Sequence, residues 1–256
     1  AAVHSGALMS SQRMDTRVES MARHMWQARR SGQDYANLPA QLRPASIAEA
    51  YAAQEAYWRL AEPVYGAVAG VKVATTTKVM QQLMGIDHPC GGAIFARTVR
   101  RSPTSVAKAD FVHLRVECEI ALLLAADLPA AGAPWTAQSV TPFVAGAMPA
   151  FELIEDRHAV YAETEATSMI VDNCWNGGVV VGALKAAAPR EVVGAKGRLT
   201  LNGAPSAEGN AEDPYATLAW LANLLAERQR DLNAGMVVIT GSDSKRAALE
   251  AVRRGA

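Results

Sequence analysis

The sequence predicts an α+β fold, in which a small N-terminal helical cap packs on a β-rich body with a mixed sheet. Apolar residues recur at helical spacing in the first 60 residues, and short β-branched runs dominate from residue 67 onward. One more helix is expected late in the chain. Helices followed by strands differ from the regular alternation of a parallel α/β protein. We expect residues 1–66 to form the cap region and residues 67–256 the body, in one continuous unit.

The predicted helices rest on apolar spacing and on capping residues. Val18, Met21 and Met25 share one face of an amphipathic helix near the N-terminus. Ser46 is followed three residues later by Glu49, as a capping box requires. The pair Asp213-Pro214 is a typical helix start. The predicted helices cover residues 14–30, 46–60, 78–84 and 213–230.

The predicted strands are short runs of β-branched and other apolar residues. The predicted strands cover residues 67–75, 112–124, 149–154, 179–183 and 236–240. The dipeptide Asn202-Gly203 predicts a tight turn within residues 199–204.

Charge and cysteine content exclude several classes of protein. The chain has 256 residues with 25 basic and 25 acidic side chains, so it lacks the excess positive charge that nucleic acids or anionic membranes attract. Its three cysteines form no C-x-x-C pair, which argues against structural zinc and against a disulfide framework. We see no signal peptide and no apolar run long enough for a bilayer, and expect a cytoplasmic protein.

The segment around Glu117 and Glu119 carries the strongest chemical signal. Alternation along a strand puts Cys118 on an apolar face and both carboxylates, with Arg115, on the other. Neighbouring like charges repel unless a cation lies between them. Glu152 also lies in an apolar strand, where an unpaired charge is costly. Three carboxylates suit Mg²⁺ or Mn²⁺. The alternative is that the first two glutamates simply line a solvated sheet face beside Arg115.

Several short segments, in this order and spacing, resemble one known family. The chain is similar to the 2-keto-4-pentenoate hydratase and 4-oxalocrotonate decarboxylase family, which has a fumarylacetoacetate hydrolase-like fold. The resemblance runs from about residue 46 to residue 242. The matching segments are S-I-A-E-A-Y-A-A-Q at 46–54, G-V-K-V-A-T-T at 70–76, R-V-E-C-E-I-A at 115–121, P-A-F-E-L-I-E-D-R at 149–157, D-N at 172–173, G-G at 177–178, L-A-W-L-A-N at 218–223 and V-V-I-T-G-S at 237–242.

The resemblance implies a metal-dependent enzyme acting on a small 2-keto acid. It implies that Glu117, Glu119 and Glu152 hold Mg²⁺ or Mn²⁺ and that Lys72 is a catalytic residue of the same site. It further implies that two residues of the T-G-S segment lie near the substrate. These residues are Thr240 and Ser242.

The sequence departs from the family pattern at three places. Cys90 stands near the position where an acidic residue is expected, and the bulky Trp175 follows the Asp-Asn pair where small hydroxyl residues are usual. Residues 245–254 read as a short basic helix in place of two closing strands. An incomplete sheet of this kind suggests completion by another subunit, and we expect a homo-oligomer.

Three functions are consistent with these residues. The first is hydration of a 2-hydroxy-2,4-dienoate (2-keto-4-enoate) to a 4-hydroxy-2-oxo acid, as in meta-cleavage degradation of aromatic compounds. The second is decarboxylation of a 2-oxo-enedioate, whose extra carboxylate needs a cation such as Arg97, Arg115 or Arg157. The third is a catalytically impaired homologue that binds a small acid or partners an enzyme of the same pathway. Cleavage of a C–C bond in an acylpyruvate is a weaker fourth reading.

Overall fold

The computed structural model describes residues 2–186, 189–241 and 247–248 of the chain. The described helices and strands alternate irregularly after two leading helices. The helices are α1 (Ala2–Arg30), α2 (Ile47–Tyr65), α3 (Lys78–Leu83), α4 (Ala137–Val140), α5 (Ala166–Val171), α6 (Pro189–Val192) and α7 (Pro214–Ala226). The strands are β1 (Val68–Ala74), β2 (Cys90–Phe95), β3 (Val99–Arg101), β4 (Leu114–Leu124), β5 (Val144–Glu155), β6 (Asn176–Val181), β7 (Lys196–Leu201), β8 (Ala204–Asn210), β9 (Val237–Ile239) and β10 (Ala247–Ala248).

The capping residues act as the sequence predicts. The Ser46 hydroxyl accepts a hydrogen bond from the Glu49 backbone N–H at 3.1 Å. The Asp213 carboxylate accepts from the backbone N–H groups of Tyr215 and Ala216 at 2.9 and 3.2 Å. Each cap satisfies backbone donors that the first helical turn leaves without partners.

One mixed sheet forms the body, as predicted. Within the described ranges it has eight strands in the order β2-β1-β9-β4-β5-β6-β3, with β10 paired to β4. The pairs β1–β9 and β3–β6 are parallel and the others antiparallel. The hairpin β7–β8 lies outside this sheet and turns at Asn202 and Gly203, both with positive φ. None of the described helices has both the length and the apolar character needed to cross a membrane.

The expected basic helix at 245–254 is wrong where the structure describes that stretch. Ala247 and Ala248 form a strand that pairs antiparallel with Val116 and Arg115 of β4. Pairing with a sheet edge satisfies backbone groups that a helix would satisfy internally, so tertiary contact outweighs local helix propensity here. The other residues of that stretch lie outside the described ranges.

Apolar side chains pack on both faces of the sheet. The main core joins the leading helices to one face and includes Met21, Met25, Tyr57, Trp58 and Leu122. A smaller cluster of apolar side chains packs on the opposite face of the sheet. Its buried members are Ile94, Ala121, Met148, Ala150, Val179, Val181, Val237 and Ile239. The sheet therefore encloses an apolar interior of its own, and polar side chains that point into it need specific partners.

The side chain of Asn173 connects strand β2 to helix α2 through hydrogen bonds. Its Oδ1 accepts hydrogen bonds from Trp58 Nε1 at 2.8 Å and from the Ala93 backbone N–H at 2.7 Å. Its Nδ2 donates to the Ala93 carbonyl at 2.8 Å. A Cβ on Gly92 would lie 2.8 Å from the Asn173 carbonyl oxygen, so this close approach requires glycine. The Asn173 side chain thus links helix α2 to the sheet.

We predict that Asn173→Ala lowers the free energy of unfolding by about 3 to 5 kcal/mol, because three buried polar groups lose their partner. Alanine also tolerates the positive φ of this position less well than asparagine. The measurement is chemical denaturation. The exposed Asn233 provides the control, and Asn233→Ala should change stability by less than about 0.5 kcal/mol. Equal stability of the two variants would contradict the role of the Asn173 side chain in joining β2 to α2.

Candidate metal centre

Strands β4 and β5 bring the three predicted carboxylates together. Glu117 lies directly opposite Glu152 in the antiparallel register, and Glu119 follows two residues along the same face of β4. One carboxylate oxygen of each residue lies within 4.8 Å of the others. Glu119 and Glu152 are buried, whereas Glu117 is partly exposed. The cluster therefore opens toward solvent on the side of Glu117.

Lys72 reaches the same cluster from the neighbouring part of the sheet. Lys72 and Ala121 both pair with Ile239 of β9, so all three side chains share the face that carries the glutamates. Lys72 Nζ lies 3.0 Å from Glu152 Oε1 and donates to the Cys174 carbonyl at 3.2 Å. Its side chain is almost completely buried. The structure thus brings together Lys72 and the three glutamates.

Two contacts that the sequence did not indicate orient the carboxylates. Asn176 Nδ2 donates to Glu152 Oε1 at 3.1 Å. The Gly241 backbone N–H donates to Glu119 Oε2 at 2.8 Å. A backbone donor carries no residue signature, and the Asn176 contact depends on how the loop before β6 is folded.

Electrostatics disfavour a fully ionised cluster. Burial raises the pKa of Glu119 well above its usual range, and the charges of Glu152 and Glu117 raise it further. Burial also raises the pKa of Glu152, although Lys72 opposes this shift. Desolvation by burial is the largest cause for both residues, and repulsion between like charges adds to it. A cation between the carboxylates would remove the repulsion.

The pKa of Lys72 reflects two opposing effects. Burial acts to lower it, but the charges of Glu152 and the other nearby acidic groups outweigh burial and raise the pKa above its usual value. Beside the carboxylates alone, Lys72 is therefore a charged ammonium.

The donor set fits a hard divalent cation. Three carboxylates face one ammonium, so the ionised cluster carries excess negative charge. Glu152 Oε2 is buried and has no hydrogen-bond partner among the described residues. A buried acceptor without a partner is costly, and a metal ion would satisfy it. Oxygen-only ligands favour Mg²⁺ or Mn²⁺ over softer metals.

Of the two predicted substrate-binding residues, the structure describes Thr240 but not Ser242. Thr240 is buried at the end of β9, and its hydroxyl donates to the Ile120 carbonyl at 2.9 Å. Its neighbour Gly241 contacts Glu119, so Thr240 lies beside the cluster. Ser242 lies outside the described residues. A substrate-binding role for both residues stays a prediction.

The sequence departs from the family pattern at Cys90 and Trp175. Cys90 lies on the sheet face of Lys72, whereas Trp175 lies in the main core. Cys90 pairs with Ala74 two positions from the pair of Lys72 with Gly92, so its thiol lies on the lysine face. Burial raises the pKa of Cys90 to about 11, and the thiol is neutral at neutral pH. The Trp175 ring packs in the main core, stacked on Tyr161 at 5.2 Å.

A cavity of about 360 Å³ borders the other side of the same strands. It lies between the β7–β8 hairpin and the sheet face that carries Cys118, Ile120 and Pro149. Glu119 borders it, but the side chains of Cys118 and Ile120 alternate with those of Glu117 and Glu119. We therefore place the candidate site at the carboxylates and not in this cavity.

Comparison with solved structures defines the class of fold. The chain superimposes on 4-oxalocrotonate decarboxylase from Pseudomonas putida G7, complexed with magnesium and adipate, with a TM-score of 0.82 and 22% identity over 92% of this chain and 90% of that one. It also matches fumarylpyruvate hydrolase from Pseudomonas aeruginosa, complexed with Mn²⁺ and pyruvate, with a TM-score of 0.51 and 12% identity over 70% of this chain and 79% of that one. The predicted fumarylacetoacetate hydrolase-like fold is confirmed.

The sequence comparison then defines the family. Residues 53–256 match the fumarylacetoacetate (FAA) hydrolase C-terminal family, and the chain belongs to it. A 2-oxo-hept-4-ene-1,7-dioate hydratase from Escherichia coli is 30% identical over 77% of this chain and 77% of its own length. A 2-keto-4-pentenoate hydratase from Burkholderia vietnamiensis is 28% identical over 93% of this chain and 91% of its own length.

We predict opposite effects of Glu119→Gln on stability without and with metal. In EDTA its melting temperature should be above that of the wild type, because a neutral glutamine avoids the cost of either burying the Glu119 charge or protonating it. Mg²⁺ or Mn²⁺ at about 100 times the dissociation constant should stabilise the wild type by about 2.7 kcal/mol, or roughly 5 to 10 °C, and leave the variant unchanged.

Calorimetry with and without metal is the measurement for this prediction. The exposed Glu62 provides the matched control, and Glu62→Gln should respond to metal as the wild type does. An equal metal response of Glu119→Gln and the wild type would contradict the carboxylate site.

Proposed function

We propose that this protein is a divalent-metal-dependent hydratase, a lyase that adds water to a 2-hydroxy-2,4-dienoate (2-keto-4-enoate) to give a 4-hydroxy-2-oxo acid. The observation that carries the proposal is the meeting of three carboxylates with a charged lysine at one partly open site. The names of the relatives, which are hydratases of 2-keto-4-pentenoate and related acids, support the same substrate class.

Glu117, Glu119 and Glu152 would hold the cation, Mg²⁺ or Mn²⁺. When bound, the metal would supply a Lewis acid for the 2-oxo acid substrate. The protein positions the ligands in advance: Gly241 orients the Glu119 carboxylate, and Asn176 orients that of Glu152. Such outer contacts commonly change metal affinity or activity by about 10- to 100-fold.

Lys72 would bind the anionic substrate and supply a proton. Its ammonium is fixed by Glu152 and by the Cys174 carbonyl. A charged donor at a fixed position stabilises negative charge that develops on the substrate oxygens. As an acid, Lys72 Nζ would give a proton to a substrate carbon when the enol form becomes the ketone, and the proton that leaves the enol hydroxyl would restore the ammonium.

A second candidate is decarboxylation of a 2-oxo-enedioate. Arg115 favours it, because the side chain lies two residues before Glu117 on the same face and is 29% exposed. Its Nε pairs with Asp156 Oδ2 at 3.1 Å, which aims the guanidinium. The other two candidate cations are placed less well: Arg97 donates to the Val64 carbonyl, and Arg157 is buried against Asp172.

The proposal also covers the substrate-binding residues, the oligomeric state and the role of the N-terminal region. We infer that Thr240 and Ser242 contribute to substrate binding, and that the active form is a homo-oligomer in the cytoplasm. Residues 1–66 would act as a cap on the body formed by 67–256. A catalytically impaired homologue, which binds a small acid or partners an enzyme of the same pathway, is the alternative that the following assay excludes or supports.

The assay incubates the full chain with Mg²⁺ or Mn²⁺ and a panel of 2-hydroxydienoates and 2-oxo-enedioates, followed by ¹³C NMR. We expect a new hydroxyl-bearing carbon at position 4 of the product, formed with metal and lost in EDTA. Release of CO₂ without hydration would assign the decarboxylase, and cleavage of a C–C bond would assign a hydrolase. Absence of turnover together with intact metal binding would assign the impaired homologue.

Lys72→Met should lower the turnover number by roughly 100-fold or more, because it removes a positioned acid and a positive charge. Methionine is unbranched and only one atom shorter than lysine, so packing is nearly maintained. The exposed Lys108 provides the matched control, and Lys108→Met should retain full activity. Steady-state kinetics of both variants make the comparison, and an unchanged turnover number for Lys72→Met would remove Lys72 from the catalytic residues.

A further inference from the structure

The loop between α5 and β6, residues 172–176, supplies two of the contacts at the candidate site. The Cys174 carbonyl accepts from Lys72 Nζ, and the Asn176 side chain donates to Glu152. Asn173, Cys174 and Trp175 have positive φ values of 53°, 49° and 59°. Side chains other than glycine avoid this region, at a cost on the order of 1 kcal/mol or more for each residue. The loop therefore depends on outside contacts to keep its shape.

Buried charges surround the two ends of this loop. Asp172, at the first position, accepts a hydrogen bond from Arg157 Nη2 at 2.6 Å. Arg29 of helix α1 contacts both ends: its Nη1 lies 3.7 Å from Asp172 Oδ1, and its Nη2 donates to the Asn176 carbonyl at 2.5 Å. The Arg29 and Asp172 side chains are 9% and 0% exposed. One guanidinium thus spans the loop from its first residue to its last.

Stability alone explains this arrangement poorly. Desolvating a charge costs several kcal/mol, and buried ion clusters are often no more stabilising than apolar residues of similar size. Asp172 already has a short, charge-assisted partner in Arg157. What Arg29 adds is a link between the two loop ends, because the same guanidinium donates a hydrogen bond to the Asn176 carbonyl and forms an ion pair with Asp172 at 3.7 Å.

We propose that Arg29 is a positioning residue of the candidate site: by bridging Asp172 and Asn176 it holds loop 172–176 in the shape that presents the Cys174 carbonyl to Lys72 and the Asn176 amide to Glu152. The link to metal binding and turnover rests on the proposed function, whereas the link to the loop does not. The N-terminal helix, which precedes the family match at residues 53–256, thereby acts on the site.

The first test uses hydrogen exchange of the metal-free full chain. In Arg29→Met the amides of residues 174–178 should exchange at least about ten times faster than in the wild type, with little change in β4 and β5. Asp172 keeps Arg157, so we expect the variant to fold. Arg23 is exposed on the same helix and provides the matched control; Arg23→Met should exchange as the wild type does. Unchanged exchange at 174–178 in Arg29→Met would overturn the proposal.

The second test separates bridging from charge. Lysine at position 29 keeps the positive charge but offers a single nitrogen, which cannot span both loop ends. Arg29→Lys should therefore show the same faster exchange. If Arg29→Lys behaves as the wild type, charge compensation alone explains the residue and the bridging role is wrong. This variant also decides the question if Arg29→Met does not fold.

The third test reads the metal site directly. Mn²⁺ titration followed by EPR should give a dissociation constant about ten times larger in both Arg29 variants than in the wild type and in Arg23→Met. Turnover should fall through kcat with little change in KM. Unchanged Mn²⁺ affinity despite faster loop exchange would overturn the link between the loop and the site.

The tests keep the two proposals apart. If the wild type neither binds Mn²⁺ nor turns over any substrate, the proposed function fails, and the exchange experiment still decides whether Arg29 holds the loop. If the wild type is active and the Arg29 variants match it in exchange, affinity and kcat, only the positioning role fails.

Discussion

The repulsion among three desolvated carboxylates is the constraint on which the rest of this site depends. Glu117 and Glu152 face each other across β4 and β5, Glu119 lies beside them, and Lys72 provides one nearby positive charge. A folded chain tolerates such a cluster if a carboxyl group takes up a proton or if a cation offsets the excess charge. The hard oxygen donors and the unpaired Glu152 oxygen make a divalent cation the physical answer.

The surrounding structure keeps these groups from relaxing away from each other. The sheet register fixes the glutamates, the Gly241 amide orients Glu119, and a strained loop brings the Cys174 carbonyl to Lys72. Strain of this kind persists only where neighbouring contacts over-determine the backbone. Asn173 anchors the loop to β2, and the buried arginines anchor its ends. This short loop is therefore one of the connections between the leading helices and the sheet.

The sequence predicted the face of β4 on which Glu117 and Glu119 lie, but it did not predict which groups contact them. Alternation along β4 suffices to put Glu117 and Glu119 on one side, because that rule is local. Opposing Glu152 to Glu117 requires the register of two strands, which spacing alone does not define; only the resemblance linked them. Strand β2 was missed because Cys90–Phe95 contains two glycines and little β-branched character. The roles of Arg29 and Gly241 arise from long-range contacts with no local signature.

Cys90 determines how protons can move at this site. Its thiol shares the face of Lys72, and burial keeps it neutral at neutral pH because its pKa is about 11. A neutral thiol neither removes a proton from water nor balances the lysine charge as a carboxylate would. Among the described residues, Lys72 lies beside the glutamates and carries a transferable proton, and the three glutamates proposed as metal ligands are nearby bases. In the proposed hydratase the nucleophile would therefore form on the glutamate side of the substrate, whereas a decarboxylase would need only an electron sink and a proton from Lys72.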